Sequence, residues 1–202
     1  FSPEINYHKH YINRYAFLFN EYIGNKYVYL PELSLRYTGQ KTFQFDNSHK
    51  TIALYLGGEN KEFRKYPDEY AVQLLRLLNR QGYNLLLIGD ENDNIKHTQY
   101  AEEARIDHLI NLTARTTIEG FINTIANVDL IITIDSSALH IAAAVKTPFI
   151  ALMGLSTSPT STILPKVPLG RILKIENNLI REEDYIRNIT PDLILKTISE
   201  LI

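Results

Sequence analysis

Cysteine and tryptophan are absent from this chain of 202 residues, and methionine occurs once. Without cysteine there is no disulfide, no thiolate metal site and no cysteine nucleophile, although the compartment stays undetermined. A surplus of positive charge is also missing. Lys and Arg number 21 against 23 Asp and Glu, for a formal net charge of −2, so no general electrostatic case exists for nucleic acid. No apolar run approaches the roughly 18 residues of a membrane-spanning helix. The six histidines form no metal-binding pair on a helix face, and no Ser-His-Asp order can be assembled. Neither a Gly-Lys-Ser/Thr phosphate loop nor a Gly-x-Gly-x-x-Gly fingerprint occurs. The second absence disfavours an NAD-dependent oxidoreductase.

What is present is ordinary for a globular protein: 45% hydrophobic and 22% charged residues, with room for one good-sized domain and an appendage. From Thr51 onward, strand and helix patterns alternate. Strands are expected at Thr51–Leu56, Asn84–Ile88, Leu109–Leu112, Asp129–Ile134 and Phe149–Met153, with helices at Asp68–Gln81, Asn94–Ala104, Thr117–Ala126 and Ala138–Val145. The first helix carries Ala71, Leu74, Leu75 and Leu78 on one face and stops at Gly82. A further strand, Arg171–Ile175, and a helix, Pro191–Leu201, are expected in the tail. Repeated βα units predict an α/β fold, a doubly wound parallel sheet of Rossmann-like type. Residues 1–50 lack a core pattern of their own. Tyr11–Ile23 reads as an aromatic-rich helix and Asn25–Ser48 as an irregular or extended connector.

The most telling segment runs from Thr133 to Val145. An apolar strand stops at Asp135-Ser136-Ser137, and a small-residue helix begins with His140 in its first turn. Open α/β sheets bind ligands at this carboxyl edge, and free N–H groups at a helix start favour a phosphate. Asp135, itself an anion, suits ligand hydroxyls instead. The bland alternative is an N-cap and a solvated histidine.

Two other strand exits emerge on the same side. Gly57-Gly58 leads through Arg64-Lys65-Tyr66-Pro67 to a helix, combining a close backbone approach with positive charge. Gly89-Asp90-Glu91-Asn92-Asp93 offers carboxylates for ribose hydroxyls or, more commonly, acids at a helix entrance. The hydroxyl-rich Gly154–Thr160 follows a strand in the same way.

Taken in order, these elements resemble the C-terminal half of glycosyltransferase family 9, the ADP-heptose:lipopolysaccharide heptosyltransferases and their relatives. Arg64-Lys65-Tyr66-Pro67 corresponds to a Lys-Arg-Trp-Pro-like element, and Leu86-Leu87-Ile88-Gly89-Asp90 to a strand ending in Gly-Gly or Gly-Asp. Asn111 to Glu119 is similar to Asn-Leu-x-Gly-x-Thr-Ser/Thr-Leu-x-Glu. Asp135 to Ala144 nearly reproduces Asp-Ser/Thr-Gly-x-x-His-x-Ala-Ala-Ala, and Pro148 to Gly154 closes the set. The motifs span about Thr51 to Pro165.

The resemblance implies one half of a GT-B glycosyltransferase. Residues 51–202 would form the nucleotide-sugar-binding domain, and residues 1–50 a remnant and connector of an acceptor-binding N-terminal domain. It implies inverting sugar transfer from ADP-heptose or a similar donor, without cofactor or metal, to a glycan or lipid-linked acceptor held by that other domain. Location would be cytoplasmic, with the inner face of the bacterial membrane as an alternative. By position, Arg64 or Lys65 would neutralise the diphosphate beside Gly58. Asp135 would meet sugar or ribose hydroxyls, and the backbone of Ser136, Ser137, Ala138 and Leu139, with His140, would hold phosphate. Thr116 would lie near the base, and Asp90 or Glu91 near the ribose. Lys65, Asp135 and His140 are the expected catalytic set. Ser137 stands where the family has glycine, and the Arg64-Lys65 order is reversed. A non-catalytic nucleotide-binding module is the competing expectation.

Overall fold

The computed structural model describes residues 22, 24, 34–57, 65–154, 165, 168–174 and 182–202. Six strands form one sheet: β1 (Thr51–Tyr55), β2 (Asn84–Leu87), β3 (Leu109–Asn111), β4 (Leu130–Ile134), β5 (Phe149–Met153) and β6 (Gly170–Lys174). Their spatial order is β3-β2-β1-β4-β5-β6, and every neighbouring pair is parallel. Strands β1, β2, β4 and β5 are buried throughout. Their sequences accordingly read as unbroken apolar runs rather than alternations. The edge strands β3 and β6 are only partly covered.

Helices α1 (Asp68–Arg80), α2 (Asn94–Ala104) and α5 (Pro191–Ile198) pack together, as do α3 (Ile118–Ala126) and α4 (Ser137–Val145). Right-handed crossovers explain the division: the β1→β2 and β2→β3 connections lay α1 and α2 on one face, the β3→β4 and β4→β5 connections lay α3 and α4 on the other, and α5, after β6, returns to pack on α1. Helix α1 buries Ala71, Val72, Leu74, Leu75 and Leu78. Each large aliphatic side chain contributes about 1.5–3 kcal/mol by leaving water. Gly82, at φ +81°, turns the chain away from α1, a left-handed conformation that side chains with a Cβ resist.

Element boundaries agree with the sequence expectations to within one to three residues. Strand β6 starts and ends one residue earlier than expected, and α5 stops at Ile198 rather than Leu201. Two short 3₁₀ turns, Glu91–Asp93 and Glu182–Asn188, were not anticipated. The helix expected over 11–23 lies, Tyr22 apart, outside the described residues. Residues 34–50 have no regular structure and run across α3 and α4. Leu35 N–H donates to the Ala144 carbonyl at 3.4 Å. Gly39 N–H donates to Asn123 Oδ1 at 3.1 Å, and Asn123 Nδ2 to Thr38 Oγ1 at 2.9 Å. The Thr42 and Thr124 hydroxyls meet at 2.6 Å. Among the described residues no helix is long and apolar enough to cross a membrane.

Candidate functional site

The strand order reverses between β1 and β4, and ligands of doubly wound sheets bind at the carboxyl side of such a switch point. Tyr55 of β1 is in register with Thr133 of β4. Gly57 and Asp135 each lie two residues beyond that pair, on adjoining strand exits. Tyr66 N–H donates to the Leu56 carbonyl at 3.3 Å, which brings Lys65 back to the same edge. On this edge also stand the exits of β2, with Asp90 and Glu91, and of β3, with Thr116. Lys65, Asp90, Glu91, Thr116, Asp135 and the start of α4 with His140 thus share the carboxyl end of the sheet. Gly58 and Arg64 lie outside the described residues, as does most of the Gly154–Thr160 loop.

The turn after β4 is tightly organised. The Ala138 N–H donates to Ser136 Oγ at 3.2 Å, Ser136 Oγ lies 2.9 Å from Thr133 Oγ1, and Thr133 Oγ1 donates to the Ile134 carbonyl at 3.0 Å. With the Thr133 proton committed to that carbonyl, the Ser136 hydroxyl donates to Thr133. Ser136 is therefore the N-cap of α4, and its hydroxyl proton is committed to Thr133. Leu139 N–H donates to the Ser136 carbonyl at 3.2 Å. Of the four amides expected at a phosphate, those of Ala138 and Leu139 have partners within the turn. Those of Ser136 and Ser137 donate to no described residue. The side chains of Ala138 and Leu139 are core, whereas Ser137 and His140 are exposed. Asp135 is half-buried, and its carboxylate makes no hydrogen bond or ion pair with any described residue. Ser137 is not among the residues of positive φ, so serine replaces the family's glycine there without backbone strain.

A cleft of about 250 Å³ opens on the other side of β1. Its lining includes Gly57, Lys65, Asp68, Asn92, Asp93 and Lys96. Lys96 and Tyr100 both bond the Asp68 carboxylate, tying α2 to the start of α1. Burial pushes the Asp68 pKa up, but the hydrogen bonds from Lys96 and Tyr100 and the charges of Lys96 and Lys65 outweigh it and hold the group below the usual carboxylate range. Arg187 pairs with Glu69 at 2.9 Å on the opposite rim. Lys96 and Arg187 of the cleft are thus each matched by a carboxylate.

Asp93 is a residue that sequence reading undervalued. It is 5% exposed and sits in a notch formed by two glycines: a Cβ on Gly57 would fall 1.7 Å from Asp93 Oδ1, and one on Gly89 would fall 2.7 Å from Oδ2. Asp90 caps the 3₁₀ turn by accepting from Asn92 N–H at 2.8 Å, while Asp90 N–H donates to Asp93 Oδ2 at 3.3 Å. The helix-entrance reading of this acidic loop therefore accounts for Asp90, whose side chain remains exposed, as does that of Glu91. The Asp-x-x-Asp spacing of a reciprocal cap was the available signal.

Thr116 is half-exposed, one residue before Thr117, which caps α3 by accepting from Gly120 N–H at 3.1 Å. The approach to it is held by Ala114 N–H, which donates to the Gly89 carbonyl at 3.1 Å. Ala114 has φ +59° and occupies the glycine position of the family element. Beneath it, fully buried His97 places Nδ1 2.7 Å from Thr113 Oγ1, and its Nε2 has no partner among the described residues. Burial pushes the imidazole pKa down to about 4, against the pull of the Asp90 charge. Among the described residues no three His, Asp or Glu side chains gather as a metal site.

The model of glycosyltransferase family 9 (heptosyltransferase) matches residues 2–183. This chain belongs to that family. The match extends beyond the motif span on both sides and takes in most of residues 1–50. Lipooligosaccharide heptosyltransferase 2 of Haemophilus influenzae is 31% identical over 158 residues, covering 72% of this chain and 45% of that protein. The structure of Escherichia coli ADP-heptose lipopolysaccharide heptosyltransferase II aligns with a TM-score of 0.66 at 24% identity, over 76% of this chain and 46% of the other. A family 9 glycosyltransferase from Veillonella parvula aligns with a TM-score of 0.78 at 16% identity, over 98% of this chain and 61% of that one. The α/β architecture is thus that of the GT-B heptosyltransferases, and the chain spans about half the length of the curated relatives it matches.

Proposed function

We propose that this chain is the donor-binding part of an inverting, heptosyltransferase-like glycosyltransferase acting in lipopolysaccharide or related glycan synthesis. The observation that carries the reading is the pairing of two unlike features on adjoining strand exits. One is the cleft at Gly57, Lys65 and Asp93. The other is the Asp135 turn, whose carboxylate has no partner among the described residues and two of whose amides donate to none of them. A nucleoside diphosphate sugar needs both kinds of group: cation and N–H donors for the pyrophosphate, and carboxylates for hydroxyls.

In this reading the donor is ADP-heptose or a similar compound, by extension from the relatives' names. Lys65 and the Ser136 and Ser137 amides face the diphosphate, with His140 one turn along α4. Asp135 accepts from donor-sugar or ribose hydroxyls, Asp90 or Glu91 borders the ribose, and Thr116 borders the base. Breaking the glycosidic bond leaves negative charge on the departing diphosphate. Fixed donors aimed there stabilise the transition state more than the ground state. Activation of the acceptor hydroxyl belongs to the other half of the enzyme, which also holds the glycan or lipid-linked acceptor. The reaction would take place on the cytoplasmic side of the bacterial membrane.

Titration calorimetry with ADP, UDP, GDP and NAD tests this directly. ADP should bind, and Asp135→Ala and Lys65→Ala should each weaken it about tenfold or more, the loss of one charge-assisted contact of about 1.5–3 kcal/mol. The isolated chain should transfer little or no sugar. Indifference to all four nucleotides would favour a non-catalytic module, and preferential NAD binding an oxidoreductase; either result refutes the proposal.

A further inference from the structure

We propose that Tyr66 is a positioning residue for Lys65: its hydroxyl clamps the segment ahead of α1 between the exit of β1 and the C-terminal 3₁₀ turn. The inference rests on the donor-site reading above and adds to it a residue that touches no ligand.

A tyrosine in a polar strand-to-helix loop would be expected on the surface. Tyr66 is instead 1% exposed. Its backbone N–H donates to the Leu56 carbonyl at 3.3 Å, and its hydroxyl donates to the Ile189 carbonyl at 2.9 Å, across 123 positions of sequence. Ile186 and Ile189 are themselves buried, and Arg187 adds a second tie to Glu69 at the start of α1. Lys65 and Pro67, on either side of Tyr66, line the cleft together with Gly57, Ile186 and Arg187. The Lys65 backbone is thus held through Tyr66, whose N–H ties it to the exit of β1 and whose hydroxyl ties it to Ile189.

Burial, followed by the charges of Tyr70 and Asp192, raises the phenol pKa well above its ordinary value. The hydroxyl therefore stays a donor at any working pH. A phenylalanine would fill the same volume; only the hydroxyl reaches the carbonyl. Lysine carries a point charge on a flexible stem, so its hold on a phosphate depends on where its backbone is held. Relaxing that anchor should weaken contacts to the diphosphate and leave the rest of the nucleotide untouched.

The test is calorimetry of ADP and adenosine with the whole chain, its Tyr66→Phe variant, Lys65→Ala, and the double variant. Tyr66→Phe should raise the ADP Kd roughly fivefold, the equivalent of one net hydrogen bond. Its adenosine Kd should change less than about twofold, with unchanged stoichiometry showing that the variant is folded. In the Lys65→Ala background, Tyr66→Phe should have almost no further effect on ADP, because coupled residues are non-additive. If ADP binds the parent chain but Tyr66→Phe leaves its affinity unchanged, or weakens adenosine equally, the positioning role is overturned and the donor-site reading stands. If the parent chain binds no ADP, both fall together.

Discussion

Ala114 carries a conformation its side chain opposes. At φ +59° a non-glycine residue is disfavoured by about 1–2 kcal/mol, partly offset because glycine would lose more entropy on folding, about 0.5–1 kcal/mol. Ala114→Gly should therefore stabilise the chain by about 0.5–1 kcal/mol, read as a higher denaturant midpoint at constant slope. A loss of stability would show that the left-handed turn before Thr116 is not adopted. His97 makes a second residue-level prediction. Its folded-state pKa of about 4 lies below the unfolded value near 6.5. Between those values the unfolded chain binds the extra proton, so stability falls as pH drops through that window and levels off below it. The full shift corresponds to about 3 kcal/mol. Denaturation at pH 7 and pH 4.5 should show a marked loss in the parent and a much flatter response in His97→Gln. Equal slopes in the two proteins would contradict a neutral, buried imidazole. Neither feature could be read from residue identity: alanine is helix-prone by default, and the burial of His97 depends on Thr113 from another βα unit.

At the level of elements, periodicity carried most of the information. The unbroken apolar runs of β1, β2, β4 and β5 and the one-sided pattern of α1 follow from burial on two faces and on one stripe. Such signals are local, and the structure matches them closely. What stayed hidden depends on distant partners. The reciprocal cap of Asp90 and Asp93 forms a short 3₁₀ turn, where the sequence favoured acids at a helix entrance and kept ribose contacts as the alternative. The Glu182–Asn188 turn is defined by packing against β5 and by Ile189, which receives the Tyr66 hydroxyl. The irregular segment before β1 is held by polar groups together with Phe43 and Phe45, which pack against the core. Asn123 is the main holder: it is 3% exposed and bonds both Thr38 and Gly39. Asn123→Ala should cost about 2–3 kcal/mol through lost and orphaned bonds, and hydrogen exchange at residues 38–42 should accelerate more than in β4. Unchanged exchange there would mean that the segment is held some other way.

For the molecule as a whole, the proposed function rests on one topological fact. Placing β1 beside β4 sets the Gly57 exit next to the Asp135 exit, so segments far apart in sequence meet at one edge. The motif order made that edge readable in advance, because all βα loops of a parallel sheet emerge on the same side. Which backbone amides remain available, and which hydroxyls are consumed in caps, required the folded chain. The account predicts that a nucleotide engages this edge alone. Hydrogen exchange of the whole chain with and without ADP measures that directly. Slowed exchange at Gly57, Lys65–Tyr66, Gly89–Asp93 and Ser136–His140, with none at the opposite edge around Tyr83, His108 and Phe149, is the expected result. Protection at that opposite edge, or no protection at saturating ADP, would contradict it.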